Sequence, residues 1–238
     1  MLDPAALRAR LDSVRERIAD AARRVGRDPA GIRLVAISKT FPLEAIRAAA
    51  SAGQREFGEN KVQEALLKID SGRDLAATWH FVGHLQSNKA RKAAQRFDVI
   101  HSVDSADLAL RLDAAAREAS RTVQLLIQVD LAGEATKHGT PEEFVPAILS
   151  ATAGCQSARV AGLMLLPPAV DEPQAARPYF KALVALRDRL VAGGADASML
   201  MHLSMGMSHD FEIAVEEGAT MVRVGSAIFG GRARSADL

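Results

Sequence analysis

Eight short apolar runs alternate with longer helical segments along this chain, at a spacing of roughly 30 residues. The runs are 32–37, 56–59, 78–83, 99–103, 123–129, 160–165, 201–204 and 221–225, and most are rich in Val, Ile and Leu. Such runs suit parallel strands buried on both faces. Between them apolar residues recur at three- and four-residue steps, the period of a helix with one buried stripe. An opening helix precedes the first strand: Leu7, Leu11, Val14, Ile18, Ala22 and Val25 share one face, Asp3 and Pro4 mark its start and Gly26 its end. Eight βα units in one chain predict an α/β fold, a single (β/α)8 TIM-type barrel. A doubly wound open sheet fits less well, because no GxGxxG turn follows the first strand. The expected organisation is one domain over 1–238, with the extra N-terminal helix over 1–26 and the barrel over 31–230.

Composition narrows the function classes. Thirty Lys+Arg against 29 Asp+Glu give a formal net charge of +1, without a run of five or six like charges. A chain of that kind has no electrostatic footprint for a phosphate backbone or an anionic membrane. Aromatic residues make up 4%, with one Trp and one Tyr, too few for base-stacking platforms. The single Cys155 has no partner for an internal disulfide, and no Cys cluster exists to hold zinc. Charged residues interrupt the N-terminus, and no apolar stretch reaches the length of a bilayer span. The expectation is a cytoplasmic protein with neither nucleic acid nor membrane as partner, and a monomer.

In a barrel, chemistry gathers where the strands end at their C-terminal side. That rule selects Ser38, Lys39, Asn60, His80, His84, Asp130, Met164, Ser204, Arg223 and Gly225. Lys39 closes an apolar strand, so its amine either reaches solvent along the stem or sits in the mouth, where desolvation favours the neutral form. A neutral amine is what a Schiff base to a carbonyl requires. Barrels commonly hold phosphate with the loops after their last two strands and the start of a short helix. Here Leu203-Ser204-Met205-Gly206-Met207-Ser208 and Arg223-Val224-Gly225-Ser226-Ala227-Ile228-Phe229-Gly230 supply hydroxyls and glycine-exposed amides. The alternative is that these glycines serve tight turns only. A Schiff-base lysine and a phosphate site at one mouth are together the requirements of pyridoxal phosphate. Arg223, two residues before Gly225 and on the same side of its strand, is placed to face that cofactor's pyridine nitrogen. Being unable to give up its proton, it would leave the ring a weak electron sink. Pairing with a carboxylate is its other reading.

Several segments carry a family resemblance. Val35-Ala36-Ile37-Ser38-Lys39-Thr40, Phe57-Gly58-Glu59-Asn60-Lys61-Val62-Gln63-Glu64 and Trp79-His80-Phe81-Val82-Gly83-His84-Leu85-Gln86-Ser87-Asn88-Lys89 resemble motifs of the pyridoxal phosphate homeostasis protein family. The two segments after the seventh and eighth runs resemble its phosphate and ring-nitrogen segments. The resemblance runs from the first strand to the last, in the family's order. It implies a barrel like that of alanine racemase, pyridoxal 5'-phosphate held as a reversible internal aldimine on Lys39, and a cofactor-binding set of Lys39, Asn60, Ser204, Met205, Arg223, Gly225 and Ser226. In that set Asn60 lies near the ring face, Ser204, Gly225 and Ser226 hold the phosphate, and Arg223 meets the ring nitrogen. Ser226 stands where the family often has threonine, which keeps the hydroxyl.

The implied role is intracellular pyridoxal phosphate (vitamin B6) homeostasis, with effects on amino-acid metabolism, transient contact with cofactor-dependent apo-enzymes and no efficient turnover. Alanine racemase takes a second acid/base, a tyrosine, from an additional domain and a partner subunit. The only tyrosine here, Tyr179, falls in the helix after the sixth strand. A weak fold-type III racemase using Lys39 alone is the alternative, and a sugar-phosphate barrel enzyme without cofactor is a third reading. His80 and His84 invite a metal reading, but four residues apart on an extended segment they cannot share one ion. Lys137, in a loop after the fifth strand, is a second lysine able to meet an aldehyde, or a solvated partner of Glu134.

Overall fold

The computed structural model describes residues 3–133 and 138–231. Helix α1 (Pro4–Arg24) begins where the Asp3 carboxylate accepts from the Ala5 N–H, with proline in its first turn. Its stripe of Leu7, Leu11, Val14, Ile18, Ala21 and Ala22 is buried. The strands that follow are β1 (Arg33–Ile37), β2 (Glu56–Glu59), β3 (Thr78–Phe81), β4 (Val99–Val103), β5 (Val123–Asp130), β6 (Thr140–Pro141), β7 (Ala158–Leu165), β8 (His202–Ser204) and β9 (Met221–Val224). All pairings are parallel, and β4 pairs with β5 while β9 pairs with β1. The ring β1-β2-β3-β4-β5-β7-β8-β9 therefore closes into the expected eight-stranded (β/α)8 barrel. The two-residue β6 flanks it, paired to the end of β5.

The connecting helices are α2 (Leu43–Ser51), α3 (Val62–Ser71), α4 (Ala90–Ala94), α5 (Ala106–Glu118), α6 (Val145–Thr152), α7 (Arg177–Ala192) and α8 (Phe211–Glu216), with α9 (Ser226–Phe229) after the last strand. Strands β3 and β9 stop before Gly83 and Gly225, whose backbones turn into the mouth loops. Helix α9 was not expected from the sequence: four residues between glycines carry too little periodicity to read. It packs on α1, where Arg10 Nε donates to the Ile228 carbonyl at 2.7 Å. No described helix is long and apolar enough to cross a membrane.

Strand alternation sorts the side chains into two layers. Ala36, Phe57, Trp79, Ile100, Leu125, Leu163, Leu203 and Val222 face outward and pack under the helices. Val99, Leu126, Ala161, Met164 and Met221 form a small apolar cluster in the lumen. The inward positions of β1, β2, β3, β4, β8 and β9 also carry Arg33, Glu56, His80, His101, Ser204 and Arg223, so much of the lumen is polar.

Candidate functional site

A cavity of about 680 Å³ opens at the C-terminal end of the strands. Its wall includes Lys39, Asn60, Arg223, Gly225 and Ser226 from the sequence-derived set, brought together from the ends of three strands. Lys39 is half-buried in the turn after β1. The residues on either side of it are tied to α3. Ser38 points outward and donates its hydroxyl to Glu59 Oε1 at 2.6 Å, and its carbonyl accepts from Lys68 Nζ at 3.0 Å. Thr40, at φ 69°, donates its N–H to Glu64 Oε1 at 2.8 Å. Lys68 joins the two carboxylates, at 2.9 Å from Glu59 and 2.8 Å from Glu64. Burial pushes the Glu59 carboxyl above its ordinary range despite bonds from Ser38 and Lys68, and its second oxygen has no hydrogen-bond partner among the described residues. Burial acts the same way on Glu64, but Lys68 and the Thr40 amide outweigh it and hold that carboxyl low.

Asn60 follows β2, and its backbone passes directly over Gly83. A Cβ at position 83 would lie 2.2 Å from the Asn60 carbonyl oxygen, so only glycine lets the two mouth loops approach this closely. Opposite them, Arg223 is fully buried on β9. It donates Nη1–H to Ser204 Oγ at 2.6 Å and Nη2–H to the Leu165 carbonyl at 2.8 Å. Burial brings this guanidinium down to about 10, against the pull of Asp210. Next to it, Ser208 Oγ accepts from the N–H groups of Gly225, at 3.1 Å, and Ala227, at 3.4 Å. A side-chain oxygen thus sits on backbone donors at the start of α9, as an anionic oxygen would. The loop bringing Ser208 there turns at Gly206, at φ 91°, where a Cβ would also strike Ala214 Cβ at 2.5 Å.

Phe41 stacks on Phe229 at 5.0 Å along one rim, and His84 stacks on His138 at 3.6 Å along another. Gln128 lines the wall and donates its amide to the His138 carbonyl.

Two members of the sequence-derived set stand apart. Ser204 and Met205 are fully buried and do not line the cavity. Ser204 lies beneath it, its hydroxyl engaged by Arg223 and His101, and the Met205 N–H is committed to the Met221 carbonyl at 3.1 Å. Both therefore sit in the barrel wall, where neither offers a donor to the cavity. His80 and His84 also part company: His80 is in the lumen against His101, and His84 is exposed on the rim. Among the described residues no group of three or more His, Cys, Asp and Glu could hold a metal ion. Lys137 lies outside the described residues.

Against this geometry the comparisons are unambiguous. A family model described as alanine racemase, N-terminal domain, matches residues 9–233. The pyridoxal phosphate homeostasis protein of Aquifex aeolicus (strain VF5) is 43% identical over 223 residues, 94% of this chain and 97% of that one. The chain belongs to the pyridoxal phosphate homeostasis protein family. PipY of Synechococcus elongatus PCC7942, whose structures with and without PLP are known, is 41% identical over 94% of this chain and 100% of PipY, with TM-scores of 0.83 and 0.84. Alanine racemase of Corynebacterium glutamicum, 17% identical with a TM-score of 0.74, shares the fold, and this chain spans 64% of it.

In this homeostasis-family barrel the wall residues not singled out from sequence include the polar side chains of Ser208, Gln128, His138 and His209. Ser208 was within reach: it closes the glycine-containing segment after the seventh run, but nothing local distinguishes it from Ser204. Only the positive φ of Gly206 between them decides which hydroxyl reaches the amides.

Proposed function

We propose that this chain binds pyridoxal 5'-phosphate through Lys39 and holds it reversibly, in the service of intracellular vitamin B6 homeostasis and thereby of amino-acid metabolism. The observation that carries this reading is the meeting, on one cavity, of Lys39, Arg223, Gly225 and Ser226, with the Gly225 N–H presented beside that of Ala227. PipY, 41% identical, has a structure with PLP bound.

The residues fit that cofactor. Bound pyridoxal phosphate supplies an aldehyde that condenses with an amine and a ring that withdraws electrons. Lys39 provides the amine from a turn clamped on both sides. The amides at the start of α9 and the hydroxyls of Ser226 and Ser208 would hold the phosphate, in place of the Ser208 oxygen that those amides now meet. Arg223 would meet the ring nitrogen as a donor only, since a guanidinium accepts nothing. Asn60, on the same wall, would border the ring. Ser204 and Met205 act from beneath, by holding Arg223 and the strand end.

Turnover is not the expected role. A racemase needs a second acid/base opposite the lysine, and Tyr179 packs on the core from α7, off the cavity wall. The protein is read as a cytoplasmic monomer that passes its cofactor to apo-enzymes on transient contact.

The test is the visible absorption spectrum after incubation with pyridoxal phosphate, followed by borohydride reduction and peptide mapping. The expected result is a yellow protein with the phosphopyridoxyl group on Lys39, lost in Lys39→Ala. A colourless protein that takes up no cofactor overturns the reading. Rapid α-proton exchange of a single-enantiomer amino acid in deuterated water would make it an enzyme.

A further inference from the structure

Below the cavity floor, polar side chains from six strands form one chain through the lumen. Arg223 Nη1 donates to Ser204 Oγ at 2.6 Å, and Ser204 Oγ lies 2.9 Å from His101 Nδ1. His101 Nε2 lies 2.9 Å from His80 Nδ1, and His80 Nε2 faces Glu56 Oε2 at 3.2 Å in a less well aligned contact. Arg33 Nε closes the far end on both oxygens of Glu56, at 2.9 and 3.0 Å. Ser204, His80 and His101 are all fully buried.

Chemistry gives this chain a single direction. A guanidinium only donates and a carboxylate only accepts. Burial alone would raise the Glu56 carboxyl, but His80 and Arg33 outweigh it and keep it ionised. With Arg223 donating at one end and Glu56 accepting at the other, the Ser204 hydroxyl donates to His101 Nδ1. His101 Nε2–H then donates to His80 Nδ1, and the His80 Nε2 proton lies beside the Glu56 carboxylate, 3.2 Å from Oε2. Switching one ring alone sets two protons or two lone pairs face to face at 2.9 Å, and switching both together leaves an unprotonated His80 Nε2 facing the Glu56 carboxylate at 3.2 Å. Burial lowers both imidazoles from their ordinary value, His101 the further because His80 and Arg223 also oppose its charge. Two neutral rings are what the single-direction chain requires.

We propose that Ser204, His101 and His80 are positioning residues for Arg223, and that the chain they form fixes the guanidinium plane against the cofactor ring and couples it to the Glu56 carboxylate. Each bond polarises the next, so Ser204 Oγ is a stronger acceptor than an isolated hydroxyl. The inference rests on the reading of Arg223 as the ring-nitrogen partner, but its first test does not depend on it.

That test is the side-chain ¹⁵N spectrum of the histidines in cofactor-free protein at neutral pH. His80 and His101 are expected as neutral Nε2–H tautomers, and an Nδ1–H tautomer or an imidazolium at either overturns the chain. The second test loads Ser204→Ala and His101→Gln with pyridoxal phosphate. Both are expected to take the cofactor on Lys39 with a displaced visible band and about tenfold weaker binding, the scale of one hydrogen bond to a charged group. Met164→Leu, in the lumen but outside the chain, should keep the native band. If Ser204→Ala and His101→Gln match the unsubstituted protein in band and affinity, the positioning role is overturned. If the unsubstituted protein takes up no cofactor, the binding reading falls and the tautomers alone decide the chain.

Discussion

The two cationic residues of the cavity stand on supports of opposite kinds. Lys39 is steadied from outside the barrel, where Lys68, Glu59 and Glu64 form a charged cluster between β1, β2 and α3. Arg223 is steadied from inside, by a chain of neutral groups whose only carboxylate lies at the far end. The outer cluster is local: Glu64 and Lys68 are one helical turn apart and grip the backbone beside Lys39. The inner chain exists only when β2, β3, β4, β8 and β9 have met. A residue that must exchange a covalent partner needs a firm backbone beneath its amine. A residue that must present one N–H at one angle needs its side chain fixed, and neutral partners do this without competing for its charge.

The sharpest way to break the comparison is Lys68→Met. Removing the cation leaves Glu59 buried and Glu64 half-buried without their common partner, and a buried pair broken on one side costs about 3–5 kcal/mol. Thermal denaturation should show a fall of roughly 10 °C for a chain of this size. Because the Ser38 carbonyl loses its donor as well, cofactor affinity should weaken in parallel. The paired change Glu59→Gln with Lys68→Met should recover most of the loss. A single variant within about 1 kcal/mol of native would show that the outer support carries no weight.

Acid separates the two supports in order of pH. His80 and His101 are held neutral, while in the unfolded chain they protonate near their ordinary value of 6.5. The unfolded state then binds more protons, so this contribution is complete above that value and is lost as pH falls through the depressed folded values. The slope is about 1.4 kcal/mol per pH unit for each ring. Half-buried His202 adds in the same direction. The Glu64 contribution has the same sign but a lower window, being complete above its ordinary 4.5 and lost only as pH falls through its lowered value. Urea titrations between pH 7 and 5 should therefore weaken the native protein and show a shallower slope in His101→Gln. Equal slopes would mean that His101 is not held neutral.

At the phosphate end the expected effect is smaller. Ser208→Ala removes a hydroxyl without uncovering a charge, so cofactor binding should weaken about fivefold, near 1 kcal/mol. Equilibrium titration of the visible band measures it. Ser204→Ala should displace the band, whereas Ser208→Ala should change affinity and leave the band in place. If the two behave alike, they do not belong to separate supports.

Much of this was legible beforehand because it is periodic or covalent in kind. Branched apolar runs spaced through the chain gave the barrel, and a lysine at the end of the first run gave the reactive amine. Lys68 was not singled out, since a helical lysine four residues from a glutamate reads as a solvated surface pair. His101 was passed over inside Val99-Ile100-His101-Ser102-Val103, where a lone histidine reads as filler. Its meaning comes from His80 and Ser204, 21 and 103 residues away in sequence. Ser204 and Ser208 share one segment, and only the backbone turn at Gly206 assigns one to the wall and the other to the cavity. Inward alternation could have flagged the polar residues of β2, β3, β4, β8 and β9 together once closure was assumed.

The smallest effect lies beside Lys39 itself. Thr40 occupies φ 69°, a region that disfavours β-branched side chains, and its backbone N–H donates to Glu64. Glycine would adopt that conformation without steric cost, while gaining freedom in the unfolded chain. Thr40→Gly is accordingly expected to change stability by less than about 1 kcal/mol, with relief of strain and added chain entropy opposing each other. Cofactor affinity is the more telling quantity. If the Glu64 bond alone fixes this turn, the N–H survives in glycine and affinity holds; if the threonine side chain contributes stiffness, the bound cofactor exchanges faster at unchanged stability. The first outcome keeps the support of Lys39 wholly in the Glu59–Lys68–Glu64 cluster, and the second moves part of it into the turn.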